Sequence, residues 1–402
     1  MLSKPTEMLR LSAFWFGIQA VWGAVLGVIL QARLVALLGA AAPPSYALLA
    51  ASGAAVAILA QILAGMRADR DQAVQRSRAP LYLIGIGLAC IALPLLLLLQ
   101  SVIGLLLAYG LLQIGMNLAI APYQAAIPEY LAGAQRRAGS AWLAGMQSLG
   151  NAAGATMAAL LSGPVVAVLL PLLLAASFAP GSGLLTRPPS SPRTTRAFRL
   201  ERAHLDLFGS RALIFLAFYT LLGYLYFWVL GASLEGLGAP RRIAGGAIVL
   251  FTIAGAIGAT IAGRFAARGD ARVLAAIGAG LFAGALALLF VEKGGATLLL
   301  ASLIGGIGWG LFLSADWSIG VNAVPEQARA TALGVWNLAV VLPQFFAPLL
   351  VGALGRALGL SGDRSLSHLA FGIACLELFV GILWLARLPA VWAKELRQAP
   401  TR

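Results

Sequence analysis

Apolar residues in this chain neither alternate nor thin out into one helical stripe; they run on, broken at intervals by short polar clusters. The runs fall at residues 11–38, 45–66, 79–100, 102–127, 138–161 and 164–186, and again at 211–234, 242–266, 271–292, 296–322, 329–354 and 366–388. A helix crosses the hydrocarbon layer in about 20 residues, and without strand-like alternation only helices satisfy the backbone in lipid. The pattern predicts an all-α integral membrane protein with twelve transmembrane helices. The joints at Gln100-Ser101 and Ser162-Gly163-Pro164 are so short that their helices must form hairpins. One long polar interval, Thr186–Ser210, is rich in proline, serine and arginine and lies near the midpoint. It cannot bury enough apolar surface to fold alone. The expected organisation is therefore a six-helix bundle over residues 1–186, a basic linker over 187–209 and a second six-helix bundle over 210–402.

Composition excludes a soluble domain: 60% of residues are hydrophobic and 10% charged, with a mean hydropathy of +0.91. The net charge of +14 would raise nucleic acid as a partner, but no basic patch is interleaved with aromatics. Basic residues mark cytoplasmic loops. With the N-terminus inside, 22 of the 28 lysines and arginines fall on the cytoplasmic side, Arg211 at the linker's end among them. Both termini and the linker are thus expected in the cytoplasm of a cell whose inner (plasma) membrane holds the protein, the charge facing anionic lipid. The first apolar run is too long for a signal-peptide core and should remain as a helix. Cys90 and Cys375 lie inside spans, and neither His204 nor His368 sits in a ligand cluster. No metal, cofactor or disulfide framework is expected, and no nucleophile–base pair points to an enzyme.

Polar residues inside spans cost insertion energy and mark function. Trp15, Gln19 and Trp22 share one face of the first span; Gln113, Asn117 and Gln124 form a stripe on the fourth. Gln147 and Asn151 share a face of the fifth, where Gly150 and Gly154 allow close packing. Tyr219 and Tyr226 stand two turns apart on the seventh; Ser302, Trp309 and Asp316 recur at seven-residue steps on the tenth, as do Asn337 and Gln344 on the eleventh. Amides donate and accept, and rings cover apolar sugar faces, so the set fits an uncharged, hydroxyl-rich solute. The competing role for each amide is interhelical hydrogen bonding that only joins the bundle. Gly306 and Gly310, within an apolar run, read as a packing surface rather than a nucleotide loop. Arg33, near the outer end of its span, either snorkels or closes an outer gate. Asp316 is either a proton carrier or a cap near the inner end of its helix, and Glu377 reads as a protonated, hydrogen-bonded structural acid.

The motifs Gly65-Met66-Arg67-Ala68-Asp69-Arg70, followed by Arg76-Ser77-Arg78, resemble the loop 2–3 signature of the major facilitator superfamily, G-x-x-x-D-R/K with basic residues after it. Gly263-Arg264 repeats it 198 residues on, with Ala267 in place of the acid, and Ser12 maps onto Ser210 at the same offset. Ile127-Pro128-Glu129 maps onto Val324-Pro325-Glu326, a parallel internal repeat. Asp316, Gly334-Val335-Trp336-Asn337 and Leu342-Pro343-Gln344 resemble the D-x-A-L, G-x-W-N and L-P-Q patterns of its glycoside and sucrose symporter branch, and Phe14–Gly23 fits the same group. The resemblance implies two pseudo-symmetric bundles, with helices 1, 4, 7 and 10 around a central cavity. It further implies alternating-access secondary transport of a small neutral sugar- or polyol-like solute, with protons as coupling ion and Asp316 as the coupling candidate. Asp69, Arg70, Arg76 and Arg78 would gate. Asn322 replaces the branch's second acid, and no acid occupies spans 1 or 4. An exporter of amphipathic compounds, or a non-transporting assembly factor or sensor on this fold, are the alternatives.

Overall fold

A computed structural model describes residues 5–130, 135–187, 202–232, 234, 238–266, 270–291, 294–323, 329–360 and 362–389. Helix α1 runs through Pro5–Ala24, a π turn at Val25–Ile29 and Leu30–Leu38. A single 3-10 turn, in which Gly39 takes φ 53°, leads into α2 (Ala42–Ala73). There follow α3 (Ala79–Leu98), α4 (Val102–Tyr130), α5 (Gln135–Leu160) and α6 (Gly163–Leu185). After the polar interval come α7 (Arg202–Gly231), α8 (Pro240–Ala266), α9 (Ala271–Val291), α10 (Gly295–Ala323), α11 (Arg329–Ala357) and α12 (Asp363–Leu385). The described residues contain no strand. A stretch from Thr6 to Ala68 through α1 and α2, and nine further helices, are apolar and long enough to cross a membrane. Helix α5 carries Gln147, Ser148 and Asn151.

Two boundaries differ from expectation. Helix α2 continues to Ala73, so Gly65–Arg70 forms its closing turns instead of a loop. The Arg67–Asp71 ion pair, 3.1 Å long and one turn apart, supports that extension. Helix α7 begins at Arg202, inside the expected linker. There the His204 ring nitrogen lies 3.2 Å from Ala323 O, and Trp384 Nε1 donates to Asp206 at 2.7 Å, fastening the first turns to α10 and α12.

The chain divides into two compact units, Met1–Thr194 with Gly238–Val249, and Thr195–Leu237 with Leu250–Arg402. In the first, Gly150 and Gly154 let α5 press on α1, as their spacing predicts; a Cβ on Gly150 would meet Gln19 Cβ at 2.9 Å. Helices α3 and α4 meet backbone to backbone, a Cβ on Gly85 falling 2.6 Å from Gly115 O. In the second unit, a Cβ on Gly278 would fall 2.6 Å from Gly308 O, joining α9 to α10 in the same way. Gly306 and Gly310 lie against Phe251 O and Gly255 O of α8, the packing surface their spacing predicts. Gly85 and Gly115 map onto Gly278 and Gly308 with one common offset, so the repeat is carried by matching contacts as well as by sequence.

Each unit also ties the start of its third helix to the end of its sixth. Ser77 Oγ accepts from Ala79 N, the first residue of α3, at 3.1 Å and donates to Thr186 O at the end of α6. At the corresponding place Asp270 accepts from Arg272 N at 2.8 Å, capping α9. Arg272 Nη1 then donates to Leu388 O, 2.6 Å away, just past α12. Arg33, half-buried, donates from its guanidinium to Leu99 O and closes the end of α3.

Candidate functional site

In the second unit, α7 carries Arg211, Phe215 and Tyr219 one turn apart, hence on one face. Arg211 Nε donates to Asp316 Oδ2 of α10 at 2.8 Å, their side chains only 5% and 4% exposed. Arg211 Nη1 donates to Trp336 O of α11 at 2.6 Å. The guanidinium carbon stands 3.4 Å from the centroid of the Trp336 ring and 4.7 Å from that of Phe215. One cation thus meets an acid, a carbonyl and two aromatic faces, joining three helices. A planar guanidinium suits this place better than an ammonium, because it stacks while its edge donates. Gly320, one turn beyond Asp316, leaves room for the indole; a Cβ there would sit 2.8 Å from Trp336 Cε2. Two turns from Arg211, Gln344 Nε2 donates to Tyr219 Oη at 2.7 Å, a second polar rung between α7 and α11.

Arg211 is therefore no loop residue, contrary to its place in the charge count. Position alone could not separate it from the linker arginines, but its register with Phe215 and Tyr219 is the signal that finds it. Trp309, 7% exposed, is stacked on Phe218 with centroids 4.2 Å apart, and Phe215, Phe282 and Phe312 surround it. The side chain of Asn337 lies outside the described residues, as does that of Asn322.

In the first unit the expected polar residues are placed among rings and amides. Trp15 stacks on Tyr123 at 5.7 Å and donates to Gln147 Oε1 at 3.4 Å. Tyr123 donates to Leu11 O at 3.0 Å. Gln113 donates to Tyr109 Oη at 2.8 Å, and Asn117 Nδ2 to Gln113 O at 2.8 Å, a buried ladder along α4. Gln61 donates to Gln124 at 3.2 Å, joining α2 to α4. Gln19 is buried beside Gly150, while Trp22 and Asn151 are half-buried. Of the expected gating residues, Arg70 and Arg76 are exposed and Arg78 is buried. The side chain of Asp69 lies outside the described residues. The acid that the structure describes here is Asp71, buried and paired with Arg67; it stands two residues past the motif position and has no motif to flag it.

Among the described residues, no group of three or more histidine, cysteine or acidic side chains could hold a metal ion. No curated protein matches the chain at significant similarity. Solved structures do. A bacterial homolog of the human lysosomal transporter Spinster, inward-facing and unoccupied, aligns with a TM-score of 0.67 at 16% identity, covering 97% of each chain. Its occupied form aligns at 0.63 with the same identity and coverage. A mutant of the nucleoside transporter NupG aligns at 0.69 and 14% identity, covering 94% of this chain and 99% of that one. At these identities the likeness speaks for the fold. The family model described as Major Facilitator Superfamily matches residues 11–348. With that match over most of its length, twelve described helices and transporters as fold neighbours, the chain belongs to the major facilitator superfamily of membrane transporters.

Proposed function

We propose that this protein is an alternating-access secondary transporter for a small neutral, hydroxyl-bearing solute of the sugar or polyol kind. The observation that supports the solute class is charge balance. Trp15, Tyr109, Gln113, Asn117, Tyr123 and Gln147, whose hydrogen bonds run along α1, α4 and α5 of the first unit, are amides, phenols and an indole. In the second unit Arg211 and Asp316 neutralise one another. Neither the amide and phenol set nor the Arg211–Asp316 pair offers an ionic solute an unopposed countercharge, while amides and phenols can trade hydrogen bonds with hydroxyls. The motifs shared with glycoside and sucrose symporters favour the same class, and the nucleosides named for one fold neighbour are likewise neutral and hydroxyl-bearing.

Asp316 then acts as the fixed counter-ion of Arg211, tying α7 to α10 and α11, rather than as a free carrier of protons. The protein sits in the inner membrane with both termini and the linker cytoplasmic, its two bundles spanning residues 1–186 and 210–402. Gly65–Arg70, with Arg76 and Arg78, forms the inner gate, and Asp69 is its latch. The alternative of amphipathic export draws on one observation, the aromatic packing of Phe215, Phe218, Phe282 and Phe312 around Trp309. Counterflow in proteoliposomes with labelled monosaccharides, polyols and nucleosides, against lipophilic cations as controls, separates these readings. Exchange of a neutral polyhydroxyl solute is expected; exchange of the lipophilic cations alone would establish export instead.

A further inference from the structure

Away from the Arg211 pair, the second unit encloses another acid. Glu377 is central in α12, which runs antiparallel to α7: Gly381 meets Ile214 and Ser210 O, and Gly231 meets Arg364. Its neighbours Leu376 and Phe379 are 63% and 60% exposed, as a lipid-facing surface requires, whereas Glu377 itself is 6% exposed and turned inward. Its carboxyl lies beside the Thr220 hydroxyl of α7. Thr220 is fully buried, yet no hydrogen bond is closed between them, and neither Glu377 oxygen has another hydrogen-bond partner among the described residues.

Among the described residues no cation answers this acid. Of the described cations on elements packed against α12, Arg202 at the start of α7 is exposed and His204 lies against Ala323 O, Arg211 of α7 is held by Asp316, and Arg272 of α9 is held by Asp270 and Leu388 O. Arg356 is exposed near the end of α11. On α12 itself, Arg364 and His368 stand roughly 20 and 14 Å along the axis at about 1.5 Å per residue. The other titratable groups of α7 nearby are Tyr219, bonded to Gln344, and Tyr224. An ionised carboxylate without donor or counter-cation in an apolar interface costs several kcal/mol, and a metal ion would need more oxygens than one carboxyl and one hydroxyl supply. A proton needs no cage.

We infer that Glu377, with Thr220, is the intramembrane proton-binding site of this transporter. The inference rests on the transporter reading and moves the coupling proton away from Asp316. On uptake a proton adds to a carboxylate oxygen, and the acid O–H donates to Thr220 Oγ. On release the proton leaves to water, and the Thr220 hydroxyl turns to donate to the carboxylate. Thr220 adjoins Tyr219, which bonds α11, so α7 carries the proton site beside its solute-facing polar rungs. A change at Glu377 therefore acts on the helix that also holds Arg211.

The test begins with the unmodified protein in lipid. Infrared spectroscopy should show a protonated-carboxyl stretch that is lost in Glu377→Gln and kept in Asp316→Asn. That band should shift on transfer to deuterated water within minutes, because alternating access opens the site to solvent. Dicyclohexylcarbodiimide should label Glu377, read by mass spectrometry. Glu377→Gln should lose accumulation driven by a pH gradient for whichever panel solute the parent exchanges. A band that survives Glu377→Gln, or one that resists deuterium for hours, would overturn the assignment. Absence of counterflow in the parent would instead overturn the transporter reading and leave the spectroscopic result standing on its own.

Discussion

Removing Asp316 alone should harm the protein more than removing Asp316 and Arg211 together. At 2.8 Å and an effective dielectric constant of about 20, the attraction between the two charges is about 6 kcal/mol. Desolvation of both groups offsets much of it, so the pair is of small net worth; what is costly is leaving one charge buried alone, about 3–5 kcal/mol. In Asp316→Leu the guanidinium keeps the Trp336 carbonyl and ring but has no anion. In Arg211→Met the carboxylate keeps no donor among those the structure shows. The double variant buries two apolar side chains of similar length instead. Unfolding free energies in mixed micelles, with tryptophan emission as a second probe, give the cycle directly. Each single variant should lose about 3–5 kcal/mol and the double variant less than either. Losses that simply add, or single losses below about 1 kcal/mol, would show that the pair is solvated and would refute its assignment as a buried tie.

Gly320→Ala should cost about 1–3 kcal/mol by overpacking and change tryptophan emission, because its Cβ would strike the Trp336 indole at 2.8–2.9 Å; unchanged unfolding and emission would disprove that contact. Gly85→Ala and Gly278→Ala should each cost a similar 1–3 kcal/mol, roughly equally, since each Cβ would fall 2.6 Å from a facing carbonyl; one tolerated and the other not would break the equivalence of the two packings. A cysteine at Ser190, in the polar interval outside the described residues, should react with membrane-impermeant maleimide only in inverted vesicles. Reaction in intact cells would reverse the proposed topology.

The twelve helices were legible because a bilayer imposes a length that a run of apolar residues either meets or does not. The paired glycines at 150 and 154 and at 306 and 310 were legible too, since small residues four apart have one main use in such helices. The glycines at 85, 115, 278 and 308 were not, because none has a second glycine four residues away and the partner of each is on another helix. Arg211 was hidden for a different reason: positive charge next to a span has the same appearance whether it turns to water or to a partner, and the partner is 105 residues away. Asp71 was obscured by its neighbour Asp69, which carries the recognisable motif. Local sequence reports what a helix is made of, and long-range pairing decides which of its polar atoms are spoken for.

The bond from Ser77 to the carbonyl of Thr186 has a mechanical consequence. Thr186, at the end of α6, is pinned to the start of α3. A chain attached to a freely fraying helix end absorbs tension by unwinding. One attached to a pinned end transmits it, so a pull along the connecting segment is delivered to the α3 terminus and the short turn that joins it to α2. Thr186 is thus a fixed anchorage, and shortening the chain beyond it should load that turn rather than slacken α6.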